Sequence, residues 1–261
     1  MQERHTDRKR YFNEQVITTE KYVIPFLNEF IKIDSNLSVL EIGCGEGGNL
    51  KPFLDMGCSV TGVDLSEGKI ENGKIYFAEH PINNNLKLLT EDIYNSQNLG
   101  QYDLIIMRDV IEHIHDQNRF MDYVKKFLKP NGKFFLAFPP WYNPFGGHQQ
   151  ICESRVLSAL PYYHIFPTTI YKGILKLFGE SEKKIETLLE VKSTGISIER
   201  FEQILNANNF RIEKNINYFI NPNYEIKFGL KPRKQIPVIS SIPFVKNYFI
   251  TTSYYLISTK N

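Results

Sequence analysis

The stretch Ser38–Asp64, SVLEIGCGEGGNLKPFLDMGCSVTGVD, constrains this chain more than any other part of it. An apolar run, Val39-Leu40-Glu41-Ile42, leads into Gly43-Cys44-Gly45-Glu46-Gly47-Gly48. A helix-compatible segment follows, and a second run, Val60-Thr61-Gly62-Val63, ends on Asp64. Strand, glycine turn, helix, strand and terminal acid form the unit that binds nucleoside-bearing cofactors. Glycines let the turn fold tightly and bring backbone N–H groups to a ligand with no Cβ in the way. Asp64 lies 21 residues beyond Gly43, close to the roughly 20 expected of a carboxylate that accepts ribose hydroxyls.

Two cofactor classes use such a unit. Gly43, Gly45 and Gly48 satisfy G-x-G-x-x-G, which admits an NAD(P)-dependent oxidoreductase. Three details favour S-adenosylmethionine, with S-adenosylhomocysteine as its product. Glu41 stands two residues before the first glycine, where a dinucleotide-binding strand is normally apolar to its end. Asp92, in Thr90-Glu91-Asp92-Ile93 after the third predicted strand, offers a carboxylate to an adenine amino group. The fourth predicted strand runs into Asp109-Val110-Ile111-Glu112-His113-Ile114. With VLEIGCGEG, VDLS, EDI, YDLIIMRDVIEHI and LKPNGKFFLAFP in that order and spacing, the sequence resembles the class I S-adenosylmethionine-dependent methyltransferases. Within them it resembles the ubiquinone/menaquinone-biosynthesis-like families, over about residues 36–140.

Strands alternating with helices, without internal repeats, give a doubly wound α/β architecture. The resemblance implies a Rossmann-like, seven-stranded, mostly parallel sheet of order 3-2-1-4-5-7-6. The expected organisation is one methyltransferase domain spanning 1–261: an N-terminal cap over 1–35, a cofactor-binding core over 36–140, an inserted helical lid over 140–196, and a final helix and antiparallel strand pair over 197–261. The five parallel strands are expected at Ser38–Ile42, Ser59–Asp64, Leu86–Thr90, Tyr102–Met107 and Lys133–Phe138, and the last pair at Phe210–Ile220 and Thr251–Ser258. The N-terminal helix is expected to begin at Thr18 or Thr19, with Pro25 kinking it or marking a helix restart, and Gly57 is expected to cap the helix between the first two strands. Lys129-Pro130-Asn131-Gly132 reads as a turn. Residues 222–250 are basic and proline-punctuated, and no element is assigned to them.

Composition narrows the setting. A net charge of +2 is too small to imply a nucleic-acid surface. Arg8-Lys9-Arg10 and Lys231-Pro232-Arg233-Lys234 are local basic clusters, read either as solvated surface or as contacts to acidic lipid or a phosphorylated acceptor. Cys44, Cys58 and Cys152 are odd in number and not in metal spacing, which fits reduced cytosolic thiols. The N-terminus lacks a signal-peptide apolar core, and no stretch approaches the ~18 apolar residues of a spanning helix. A cytoplasmic protein is expected, with peripheral membrane contact left open.

The candidate ligand contacts fall at the carboxyl ends of the predicted strands, as expected of an open α/β sheet. The cofactor's carboxylate suits the helix N-terminus after the glycine turn, its ribose suits Asp64, and its adenine amine suits Asp92. The resemblance adds Glu41, Gly43, Cys44 and Gly45 at the turn and methionine end, Leu65 as a further cofactor contact, Ile93 at the adenine, and the backbone of Met107 and Arg108 towards the methionine and methyl side. Each has a structural alternative: Asp64 and Asp92 as caps, and Glu41 as a holder of turn amides. For a hydroxyl acceptor a base is needed. His148, in the loop Pro139–Gln149, is the first candidate and His113 the second, each alternatively a structural histidine. No metal is expected on His113-Ile114-His115-Asp116, because residues two apart on a helix do not share a face. Tyr11 is read as near the cofactor sulfur or packed in the core. Trp141, Tyr142, Phe145, Tyr162, Tyr163, Phe166 and Tyr171 either line an acceptor pocket or pack a lid. The expected activity is methyl transfer to a small-molecule or lipid-like acceptor, at oxygen. The alternatives are a dinucleotide oxidoreductase and a non-catalytic binding or membrane-surface module.

Overall fold

The computed structural model describes residues 7–96 and 99–260. The first six residues of the expected cap lie outside the described residues. Among those described, eight strands form one sheet: β1 Ser38–Ile42, β2 Ser59–Asp64, β3 Leu86–Thr90, β4 Tyr102–Arg108, β5 Leu128–Phe138, β6 Phe210–Ile220, β7 Arg233–Lys234 and β8 Thr252–Thr259. Their order is β3-β2-β1-β4-β5-β8-β6-β7. The first five are parallel, and β8, β6 and β7 add antiparallel pairs. The expected count of seven is therefore one short. The seven longer strands keep their expected neighbours, and β7 joins outside β6. Two residues, Arg233-Lys234, carry no alternation that a sequence pattern could register.

The helices are α1 Arg8–Thr18, α2 Ile24–Leu27, α3 Lys51–Asp55, α4 Glu67–Phe77, α5 Gln117–Val124, α6 Arg155–Ala159, α7 Thr168–Leu177, α8 Glu182–Thr194, α9 Ile198–Ala207, α10 Asn223–Phe228 and α11 Pro237–Ser240. Side chains alternate across the parallel strands, so the sheet has a core on each face. Val39, Val60, Leu104 and Ile106 pack with Phe12 and Leu54 on one side. Leu40, Ile42, Ile105 and Met107 pack with Phe120 and Phe201 on the other. Strands buried on both faces are the expected consequence of parallel pairing under helices.

Two local expectations need correction. The N-terminal helix begins at Arg8, ten residues before Thr18, with Asp7 Oδ1 accepting from Arg10 N at 2.9 Å. It runs through a π-helical turn, Thr19–Val23, into α2. Its buried residues are Phe12, Glu14 and Thr18, too thin an apolar stripe to signal a helix. Lys129–Gly132 does not precede β5 but bulges within it: the register passes from Tyr102 opposite Leu128 to Leu104 opposite Lys133, and Asn131 takes φ +66°. The helix after the glycine turn starts at Lys51 and has only five residues. Gly57 does adopt the left-handed conformation expected of it, φ +88°.

The insertion between β5 and α9 has a buried cluster of its own, including Cys152, Leu157, Tyr163, Tyr171, Leu175, Ile185 and Leu188. Glu180 organises it by accepting from Glu153 N and Ser154 N, each at 2.9 Å. No described helix is long and apolar enough to cross a membrane.

Candidate functional site

The carboxyl ends of β1, β2 and β4 meet around the glycine turn. Gly43 has φ +73°, and a Cβ there would sit 2.5 Å from Val110 Cγ2, so only glycine fits. Gly45, φ +56°, faces open space: its nearest neighbour would be Lys69 Cδ at 3.8 Å. Gly48 is overlaid by α1, where a Cβ would lie 2.6 Å from the Phe12 carbonyl oxygen. Arg8 of α1 donates through Nε and Nη2 to the two carboxylate oxygens of Glu46, both at 2.6 Å, and Glu46 is fully buried. The first helix is thus strapped across the turn by a bidentate ion pair.

Asp64 uses both oxygens locally, Oδ2 accepting from Gly45 N at 2.8 Å and Oδ1 from Ser66 N at 2.9 Å. It links the turn to the start of α4, and each oxygen keeps a further lone pair for a ligand hydroxyl. Asp92 Oδ1 accepts from Tyr94 N at 2.9 Å and caps the short turn Ile93–Asn95. Leu65, beside Asp64, is 75% exposed. Cys44, Ile93 and Met107 have side chains within the two cores, so Cys44 and Met107 can meet a ligand only through their backbone.

A polar chain crosses beneath the turn. Asn49 Nδ2 donates to Glu41 Oε1 at 2.6 Å, and Asn49 Oδ1 accepts from Arg108 Nη1 at 2.5 Å and from Thr19 Oγ1 at 3.0 Å. Glu41 Oε2 and Arg108 Nε, both buried, have no partner. Burial pushes the Glu41 carboxyl up to about 8, against the opposing pull of Asn49 and Arg108. Among the described residues no carboxylate lies within ion-pair distance of Arg108. A buried guanidinium without an anion is costly, and so is an unpaired buried carboxyl oxygen. Together they form a pair of opposite polarity held apart by one amide. Sequence reading assigned Arg108 by its backbone and missed its side chain, Asn49 and Thr19.

Asp109 was also missed. It is exposed at the end of β4, with φ +54° and its N–H donating to Ala137 O at 2.8 Å. A non-glycine residue in that conformation is a mark of functional sites. Tyr11 lies within electrostatic reach of Asp109 and Arg108; burial above all, then Asp109, raises its hydroxyl to about 12.

The two candidate bases do come together. The rings of His113 and His148 lie 4.9 Å apart, edge to face. Glu112 joins them, its carboxyl buried without a partner, and one ligand-capable atom from each of the three lies within 4.8 Å of the others. His148 has φ +54°, and burial lowers it to about 4. Burial also lowers His113, against the raising effect of Asp109, and raises Glu112 well above the usual carboxyl range. His148 is therefore neutral near pH 7, and the separations among the three suit either a shared proton or a bridging cation. The sequence cluster running on to His115 and Asp116 disperses. His115 pairs with Glu190 at 3.7 Å, and Asp116 caps α5. Of the aromatic candidates, Trp141, Tyr163 and Tyr171 are buried packing, whereas Phe145 and Phe166 are exposed.

The family model described as a methyltransferase domain matches residues 12–190. The ubiquinone biosynthesis O-methyltransferase of Bartonella tribocorum is 33% identical over 102 residues, 39% of this chain and 41% of that protein. The protein of that name from Pelagibacter ubique is 29% identical over 130 residues, covering 50% and 51%. The chain thus spans about two-fifths to half of these relatives' length. Among solved structures, magnesium protoporphyrin IX methyltransferase from Synechocystis aligns with TM-score 0.56 at 16% identity, over 95% of this chain and 84% of that one. Geranyl diphosphate C-methyltransferase from Streptomyces coelicolor aligns with TM-score 0.55 at 15% identity, over 91% and 78%. At such identities the structures speak for the fold.

Proposed function

The chain belongs to the methyltransferase-domain family, and on that premise we propose that it is an S-adenosylmethionine-dependent methyltransferase acting at an oxygen of a small, lipid-like acceptor. The carrying observation is the unpartnered pair Glu41 Oε2 and Arg108 Nε beneath the glycine turn. The cofactor's methionine end is a zwitterion, and its ammonium and carboxylate complement those two groups in charge and hydrogen-bonding sense. The carboxylate anchor is then the Arg108 side chain rather than the expected helix N-terminus, since α3 begins too late and is too short. Gly45 leaves room for close approach, Asp64 takes the ribose, and Asp92 and Ile93 take the adenine, with Leu65 covering it. Oxygen as the acceptor atom follows the relatives named O-methyltransferases.

The cofactor supplies an electrophilic methyl group on sulfur; the protein positions the acceptor and excludes water. His148, neutral at physiological pH, has a free lone pair for the acceptor's hydroxyl proton. A base this weak suffices because the hydroxyl becomes strongly acidic as its oxygen forms the new bond. His113, packed edge to face on His148, holds its ring in place. Residues 140–196 serve as the lid over the acceptor, within a single catalytic unit.

Calorimetric titration with S-adenosylmethionine, S-adenosylhomocysteine, NAD and NADP tests the cofactor class directly. Binding of the sulfur pair alone is expected; binding of a dinucleotide overturns the proposal. Asp64→Ala should weaken S-adenosylhomocysteine about tenfold or more, the equivalent of losing one or two hydrogen bonds to a charged group. Unchanged affinity removes the ribose assignment.

Glu41 adds a proton signature. In the free protein its carboxyl, at about 8, is protonated at pH 7. An ammonium partner favours the carboxylate, so binding should release close to one proton at pH 7 and progressively less above pH 8. Calorimetry in buffers of different ionisation heat reads this release, and Glu41→Gln should abolish it. In the free protein the raised carboxyl contributes stability that is full below about 4.5 and lost as pH rises through 8.

A further inference from the structure

From Ile226 to the C-terminus the chain has no Asp or Glu and six basic residues. All of it lies beyond residues 12–190, the part matched by the family model. Between β6 and β8 this segment is an ordered strap. Its amides tie it to the body of the protein: Asn247 is buried, accepting from Ile198 N at 2.9 Å and donating to Glu199 Oε2 at 2.7 Å. Gln235 donates from its backbone to Asn217 O at 2.8 Å and from its side chain to Phe249 O at 2.6 Å. Its large apolar side chains face water: Val238 is 70% and Phe244 67% exposed, with Leu230, Ile236, Val245 and Phe249 also exposed. Phe244 sits at φ +62°, its N–H held by Glu199 Oε1 at 2.8 Å. The strap thus spends an unfavourable backbone conformation on presenting a phenyl ring to solvent. Lys231, Arg233 and Lys234 lie exposed in the same strap.

We propose that this strap is a docking surface for an anionic lipid bilayer. Apolar side chains entering the headgroup boundary, with lysine and arginine meeting lipid phosphates, are the two components of reversible membrane attachment. A second copy of the chain fits less well. An isologous interface brings the same patch against itself, and a patch with three clustered cations and no acid of its own repels its twin. The strap also borders the lid: Tyr162 Oη donates to Tyr248 O at 2.9 Å, and the Tyr142 and Tyr248 rings lie 5.5 Å apart. A membrane-dissolved acceptor would therefore meet the protein on the lid side. That last point rests on the proposed function, whereas the docking surface does not.

The test is co-sedimentation of the full chain with phosphatidylcholine vesicles and with vesicles also containing phosphatidylglycerol, at low and physiological salt. The wild type should bind the anionic vesicles, more strongly at low salt. A Val238→Glu/Phe244→Glu variant should lose at least about tenfold in binding, and Lys231→Glu/Arg233→Glu/Lys234→Glu should lose both binding and salt dependence. Both variants should keep the circular-dichroism spectrum and melting temperature of the wild type, which shows that the fold is intact whether or not the methyltransferase reading holds. Failure of the wild type to bind anionic vesicles, or variants that bind as well as it does, overturns the proposal. So does a dimer in sedimentation equilibrium that Val238→Glu/Phe244→Glu dissociates, because the face then belongs to a second copy.

Discussion

His148→Ala should cut methyl-transfer turnover by about 10²–10⁴, the usual contribution of a positioned base, while S-adenosylhomocysteine affinity stays at the wild-type value. The split between turnover and affinity follows from placement. His148 comes from the loop after β5 and packs on His113, which follows β4; neither belongs to the β1–β2 unit that carries the glycine turn. Because burial lowers His148 to about 4, turnover should not fall as pH drops through 6.5, where an ordinary histidine would protonate. The loss should begin only near pH 4, provided the fold survives. A pH–rate profile with a limb near 6.5 that disappears in His148→Ala would contradict the burial argument while keeping the residue essential. Full activity of the variant would remove it as the base. The same three side chains could instead hold a cation, and dialysis against a chelator distinguishes the two. Turnover unaffected by chelation supports proton transfer, and activity restored by added divalent metal replaces it with metal assistance.

How much of this was legible in the sequence depends on how local each feature is. The glycine turn and Asp64 belong to one contiguous βαβ unit, so spacing alone located them, and Gly45 N bonded to Asp64 is the contact that spacing implies. The Glu41–Asn49–Arg108 chain is not local, since Asn49 and Arg108 are 59 residues apart and meet only because β1 and β4 are neighbours. A stricter use of strand alternation would have put the Met107 side chain in the core and Arg108 on the opposite face. Asp109 gave no signal, because a positive φ at a non-glycine residue is imposed by its surroundings. Aromatic content marked the insertion as special, yet nothing in it distinguishes buried Tyr163 and Tyr171 from exposed Phe166. Helix α1 was missed because it holds the site by polar means. Arg8–Glu46 and the Phe12 backbone over Gly48 do what an apolar stripe does elsewhere.

Arg108→Met should weaken S-adenosylhomocysteine binding about 30-fold or more, the loss expected when a ~2 kcal/mol charged hydrogen bond is removed. It should leave methylthioadenosine, which lacks the amino-acid end, bound as tightly as by the wild type. The comparison isolates the carboxylate, because the two ligands share adenine, ribose and sulfur. Substitution should also leave thermal stability unchanged or raise it. In the free protein Arg108 is a half-buried cation, its Nε buried and its bonds going to neutral Asn49 and Thr19, and a methionine of similar reach removes the desolvation cost. Asn49 still has Glu41 and Thr19 as partners. A residue conserving only the fold would behave in the opposite way, lowering stability and weakening both ligands together. Equal weakening of the two ligands would place Arg108 in the turn's scaffold. No effect on either would direct the guanidinium to a carboxylate of the acceptor, whose KM would then rise in this variant alone.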